Sequence, residues 1–284
     1  EQFEKNYKDA TLVSHKKYLS AVEDVKTGKK DLKVSTTNVY DIYKNRYNID
    51  ADLFFSKLEK IRINCIPIVD TSGSMCDAND SFGKALAIGH YLAKCSTYCP
   101  EKVVSFSSRP QLLTLGETPK IEWGYGYNYI APRDDKSVYQ REIASMFTGD
   151  CSNTDFGAVM ELLSKLDGDM PEYLVVLSDM EFDRARGYGR TYDWATRTYK
   201  TNNATPETLM EGIARKWREC GYQMPHLIFW NVDARQNNIP MLGNGPISYV
   251  SGFSPSIFQT IMTGKTGYDL MMEKLNSERY AVIQ

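Results

Sequence analysis

Apolar positions along the chain change their period near residue 61. Before it they recur at helical spacing: Leu12, Tyr18, Leu19, Val22 and Val25 mark one face of a first helix that stops at Thr27-Gly28-Lys29-Lys30. Val39, Tyr40, Ile42 and Tyr43 form the stripe of a short second helix, for which Ser35 or Thr36 is the expected cap. A third helix is expected from Asp52 to Lys60. Such short helices bury too little surface to fold alone. Residues 1–60 are therefore expected to pack on the remainder of the chain, or to end a larger helical region.

From Ile61 the pattern becomes one of short apolar runs separated by helices. Ile61–Asp70 reads as a strand ending in an acid, and Ser81–Ser96 as a helix apolar on most sides. Lys102–Phe106 and Gln111–Leu115, joined by Ser107-Ser108-Arg109-Pro110, predict a hairpin. Helices are expected over Ser137–Phe147 and from Phe156 to Leu166. Glu172–Ser178 is a second apolar strand delivering an acid, Asp179. A helix near Pro206–Glu219, strands at His226–Val232 and Ile247–Val250, and helices from Pro255 and over Tyr268–Leu275 complete the pattern. Strands alternating with helices predict right-handed crossovers. The fold class is thus α/β, a doubly wound, mostly parallel sheet over residues 61–284 with a helical N-terminal extension over 1–60.

Composition narrows the function classes. With 42% hydrophobic and 25% charged residues and a net charge of −2, the chain resembles a soluble globular protein and lacks the overall field of a nucleic-acid coat. No apolar run approaches the roughly 20 residues of a membrane span, and no membrane partner is expected. The chain opens on Glu1, which fits a fragment or a processed product. The six cysteines offer neither a disulfide framework nor zinc-ligand spacing, so a reducing compartment, the cytoplasm, is expected.

The candidate chemistry is oxygen-based. In an open α/β sheet, ligands bind beyond the carboxyl ends of the strands, and two strands deliver aspartates there. Asp70-Thr71-Ser72-Gly73-Ser74 offers oxygens at alternate positions, and Cys151-Ser152-Asn153-Thr154-Asp155 opens the helix before the second strand. Hydroxyls of Ser72, Ser74 and Thr154 with Asp70 and Asp179 suit Mg²⁺, which takes about six oxygens and keeps some waters. Mn²⁺ and Ca²⁺ are the alternatives. Because several of these ligands are neutral, a bound ion stays electropositive enough to take a partner's acidic group.

Asp70-x-Ser72-x-Ser74 at the end of an apolar strand resembles the metal-ion-dependent adhesion site (MIDAS) of von Willebrand factor A-type domains, and Thr154 and Asp179 match the later Thr and Asp of that site. The resemblance implies that hydroxyls touch the ion while aspartates often act through water. Ser178–Asp183, Phe229–Val232 and Val250–Ser254 are in turn similar to an uncharacterised family that joins a helical N-terminal region to an A-type domain. Its layout resembles that of the Ro ribonucleoprotein, whose helical ring binds RNA. Three roles follow as expectations. The first is a binding module for a protein with an exposed Asp or Glu; the second is an RNA-binding ribonucleoprotein component; the third is a structural or virion-associated module.

For the RNA reading, the candidate contacts lie after Asp179, where Arg184, Arg186, Tyr188, Arg190, Tyr192 and Trp194 interleave charge with aromatic rings. Packing of a surface insertion explains the same composition. Enzyme readings fare worse. A dehalogenase-type phosphatase needs a second Asp where Ser72 stands, and Gln259 replaces the leading glycine of a P-loop before Gly264-Lys265-Thr266. His90 falls in an apolar helix and is expected to be packed, and no base is evident beside Cys76 or Cys151. The chain is expected to bind rather than catalyse.

Overall fold

A strand can be apolar at nearly every position only when both its faces are covered, and the central strands here are built that way. The computed structural model describes residues 2–32, 37–47, 50–77, 79–118, 137–152, 155–166, 169–179, 190–193, 198–201, 215, 217–219, 221–233, 247–251, 272 and 275–276. Within them lie the helices α1 (Gln2–Lys26), α2 (Val39–Asn45), α3 (Ala51–Ser56), α4 (Ser81–Cys95), α5 (Val138–Ser145) and α6 (Phe156–Ser164). The strands are β1 (Cys65–Asp70), β2 (Lys102–Phe106), β3 (Leu112–Thr114), β4 (Tyr173–Ser178), β5 (Arg190–Asp193), β6 (Thr198–Thr201), β7 (His226–Asn231) and β8 (Ile247–Ser251).

Six strands form one sheet in the order β3-β2-β1-β4-β7-β8. All neighbours pair parallel except β3, which folds back on β2. This is the doubly wound, mostly parallel sheet that the pattern predicts. Alternate residues feed opposite cores, as the strand period of two requires. Cys65, Val69, Val175, Leu177, Ile228 and Trp230 join the core shared with α2, α3, α4 and α5. Ile66, Ile68, Leu174, Val176, Leu227 and Phe229 join the other, with Val159, Met160 and Leu163 of α6 and the buried Trp217.

The N-terminal helices differ in how far they enter this body. Val39, Ile42 and Tyr43 of α2 and Ala51 and Phe55 of α3 are buried in the same core as the sheet. On α1, by contrast, Leu19 is half exposed. That helix is tied down near its end by polar contacts, where Tyr18 Oη accepts the Asp50 N–H at 2.8 Å and Lys26 pairs with Asp50 at 2.6 Å.

Several boundaries move for identifiable reasons. The second helix is capped by Asn38, not by Ser35 or Thr36, because Asn38 and Asp41 satisfy each other's backbone N–H in a capping box. The third begins at Ala51 and stops at Ser56, since Asp50 caps it through the Leu53 N–H. The first strand becomes regular only at Cys65, and Ile63 makes an isolated bridge to Ser96. The stretch after Asp179, whose composition also fits a surface insertion, holds the antiparallel strand pair β5 and β6. The helices expected near residues 206–219 and beyond 255 fall largely outside the described residues.

α4 crosses the sheet so closely that a Cβ on Gly89 would lie 2.6 Å from Val69 Cγ2. The next residue, His90, is fully buried between the rings of Phe55 and Tyr139. Burial holds its pKa below the usual imidazole value, so the ring is neutral at pH 7. Its Nε2 faces Glu142 Oε2 at 2.7 Å, while Glu142 Oε1 accepts from Lys94 Nζ at 2.5 Å. Burial acts upward on Glu142, but these two partners outweigh it and keep the carboxyl below its ordinary range. His90 is therefore a packed, structural histidine.

Candidate metal centre

Parallel pairing of β1 with β4 puts Val69 opposite Leu177. Asp70, the last residue of β1, and Asp179, the first after β4, therefore emerge side by side at the carboxyl edge of the sheet. Asp70 is fully buried and Asp179 nearly so. Asp70 Oδ1 accepts the Ser72 N–H at 2.9 Å, and its Oδ2 accepts the Ser178 hydroxyl at 2.6 Å. The chain then makes a single 3₁₀ turn, Gly73–Met75. Ser72 stands at the cap position of that turn without spending its hydroxyl on it. Instead Ser72 Oγ and Ser74 Oγ lie 3.0 Å apart.

Thr71 pins the turn to both neighbouring loops. Its N–H donates to Phe106 O at 3.2 Å, and its hydroxyl donates to Asp150 O at 2.9 Å. The loop that begins at Asp150 runs directly beside the turn, since a Cβ on Gly73 would lie 3.8 Å from Cys151 O. Ser152 Oγ sits 2.7 Å from Ser108 Oγ, and the Asp155 N–H donates to Ser107 O at 3.4 Å. Asp155 caps α6 by accepting the Ala158 N–H at 3.0 Å. Thr154 itself lies outside the described residues, although the loop on both sides of it borders the site.

The structure thus brings Asp70, Ser72, Ser74 and Asp179 together. Arg184, Arg186, Tyr188 and Trp194 lie outside the described residues. Arg190 and Tyr192 fall on β5, opposite Thr201 and Tyr199. Two residues of the site escaped the sequence reading. Ser178 holds Asp70, and Met75, fully buried, accepts the Asp179 N–H on its sulfur at 3.2 Å. The one signal in the sequence was a polar residue closing an otherwise apolar strand, at Ser178.

The described groups at this edge act on Asp70 in opposite directions. The Asp70 carboxyl is raised to about 6: burial is the largest cause, hydrogen bonds from Ser178 and Ser72 oppose it, and the Asp179 charge adds to it. None of these groups is a cation. Two carboxylates sharing a dry site with hydroxyl oxygens form a hard, negative environment that a divalent ion would neutralise. Among the described residues no group of three or more His, Cys, Asp and Glu comes together, so hydroxyls would have to supply much of any ligand set. No described helix is long and apolar enough to cross a membrane.

Comparison with known proteins places these features in context. The chain resembles the crystal structure of the Ro (RSR) protein of Deinococcus radiodurans, with 17% identity and a TM-score of 0.43, over 76% of this chain and 37% of that one. It also resembles proximal thread matrix protein 1 of the mussel byssus, with 14% identity and a TM-score of 0.35, over 69% of this chain and 44% of that one. A structure of the same byssus protein with zinc in its MIDAS motif gives 13% identity and a TM-score of 0.36, over 72% and 47%. The chain spans less than half the length of each. No curated protein matches its sequence. A family described as a domain of unknown function, DUF7788, matches residues 64–281, and the chain belongs to that family.

Proposed function

We propose that the chain is a divalent-metal-dependent binding module. In this reading Ser72, Ser74 and Thr154, with Asp70 and Asp179 beside them, hold Mg²⁺, and an Asp or Glu of a protein partner completes the ion's shell. The observation that carries it is the buried Asp70 carboxylate, which faces a second carboxylate and two adjacent hydroxyls. Burying like charges together is costly unless a cation joins them. A bound ion would supply Lewis acidity toward an anionic group. The protein's own work is to hold the oxygens in place and keep water from the carboxylates.

Binding rather than hydrolysis is supported by where the two histidines of the sheet-bearing region lie. His90 is engaged by Glu142, and His226 Nε2 sits 2.8 Å from Ser248 Oγ on β8. A module that works in the reducing cytoplasm fits the free thiols of Cys65, Cys76, Cys95, Cys99 and Cys151.

Calorimetric titration with MgCl₂, MnCl₂ and CaCl₂ tests the proposal. Saturable heat is expected for Mg²⁺ or Mn²⁺, followed by retention of a glutamate-bearing peptide that EDTA releases. Absence of heat with all three ions ends the metal reading. Retention of single-stranded RNA that survives EDTA and weakens steeply with salt would assign the surface to nucleic acid instead.

A further inference from the structure

The two aspartate-bearing loops hold each other. Ser178, the last residue of β4, donates its hydroxyl to Asp70 Oδ2 on the neighbouring strand at 2.6 Å. In return Met75, at the end of the Asp70 turn, takes the Asp179 N–H on its sulfur at 3.2 Å. Each loop thus carries a group that fixes the other: Ser178 holds the Asp70 carboxylate, and Met75 holds the backbone of Asp179. Ser178 and Met75 are both fully buried, so water does not compete for either contact. Thr71 adds no link of this kind, because its bonds run to Phe106 and Asp150.

We propose that Ser178 and Met75 are positioning residues of the metal centre, a reciprocal brace that sets the spacing of Asp70 and Asp179 before any ion arrives. This inference rests on the metal-binding reading above. The physical argument is one of preorganisation. Mg²⁺ tolerates little deviation from its preferred geometry. A carboxylate free to rotate, which Ser178 prevents at Asp70, or a backbone free to shift, which Met75 prevents at Asp179, loses affinity to the cost of being ordered. Partners that orient a metal's ligands typically contribute 10–100-fold in affinity. A sulfur is a weak acceptor, so Met75 contributes less than Ser178. Its long unbranched side chain reaches the Asp179 amide from the far side of the turn, which a shorter acceptor at that position would not.

Three variants test it: Ser178→Ala, Ser178→Thr and Met75→Leu. Leucine nearly conserves volume, so that last change removes the acceptor while keeping the packing. In calorimetry with MgCl₂ and MnCl₂, Ser178→Ala is expected to lose about 10–100-fold in affinity, Ser178→Thr to recover most of it, and Met75→Leu to lose up to about tenfold. In the metal-free chain, amide exchange should quicken at Ser72 in Ser178→Ala and at Asp179 in Met75→Leu, with neighbouring strand amides unchanged. If the wild-type chain binds ions and the variants bind as tightly, the brace is wrong and the metal reading stands. A loss of affinity that tracks a general loss of thermal stability, unrescued by threonine, would likewise reduce both residues to packing. A wild-type chain that gives no heat overturns the metal reading, and the brace falls with it.

Discussion

Glu142 and Asp70 are both carboxylates withdrawn from water, and their surroundings drive them in opposite directions. Glu142 lies between the ring of His90 and the ammonium of Lys94, and its pKa is lowered. Asp70 lies between two donors and another carboxylate, and its pKa is raised to about 6. The first site is closed: every charge on it has its counterpart within the chain. The second is left open at the edge of the sheet where ligands of such folds bind. Among the described residues Glu142 meets a cation while Asp70 meets donors and a second carboxylate, and it is at the Asp70 edge that an ion would act under the proposed function.

The contrast is sharpest under substitution. Asp70→Asn keeps the shape and one of the two acceptor oxygens that Ser72 and Ser178 use but removes the charge, and titration with MgCl₂ should then give no saturable heat. Retained affinity would show that the ion, if bound, does not sense this residue. Glu142→Ala should do the reverse. It strips His90 and Lys94 of a shared partner on the α4–α5 face; Lys94 keeps Glu101, and leaving the buried imidazole without its partner costs about 1–3 kcal/mol. Chemical denaturation should report that loss while metal affinity stays within about twofold. Should Glu142→Ala abolish ion binding in a chain that remains folded, the two sites are not independent.

Acid titration separates the same two groups by sign. A carboxyl raised in the folded state contributes stability that is present below its unfolded pKa of about 4 and lost as pH rises through about 6. The lowered Glu142 contributes stability present above its unfolded value and lost as pH falls below it. Asp70→Asn should therefore gain on the wild-type chain as pH rises from about 4 to above 6. The ceiling is on the order of 3 kcal/mol, because the folded carboxyl titrates roughly two pH units above an ordinary aspartate. Saturating Mg²⁺ at neutral pH should restore the wild-type chain and leave the variant untouched. A melting-temperature difference that is flat across this range would mean that Asp70 carries no uncompensated charge.

How legible each feature is in the sequence depends on the range of the interaction behind it. The strands were legible because coverage on both faces leaves unbroken apolar runs, as in Cys65–Asp70 and Tyr173–Ser178. Asp70, Ser72 and Ser74 were legible because they share one turn. The partners that hold the acids were not. Ser178 and Met75 meet their targets across more than a hundred residues of chain, and only the pairing of β1 with β4 joins them. His90 was readable as a packed residue from its apolar helix, whereas nothing near it pointed to Glu142 on α5. Local capping misled in a smaller way: Ser35 and Thr36 are good caps, but the reciprocal pair Asn38 and Asp41 lies closer to the apolar stripe of α2.

The smallest effect tests whether the loop before α6 divides its labour. Asp155 accepts the Ala158 N–H and so caps the helix, while Thr154 is the residue expected to offer its hydroxyl to the ion. Removing a cap costs about 1 kcal/mol, which in a chain of this size lowers the melting temperature by a few degrees. Asp155→Ala should show that drop with metal affinity little changed. Thr154→Ala should leave the melting temperature of the metal-free chain alone and weaken MgCl₂ binding. If the outcomes are exchanged, with Asp155→Ala abolishing the heat and Thr154→Ala silent, then the third oxygen of the site comes from the capping aspartate. The loop would then have to give up its helix cap to hold the ion.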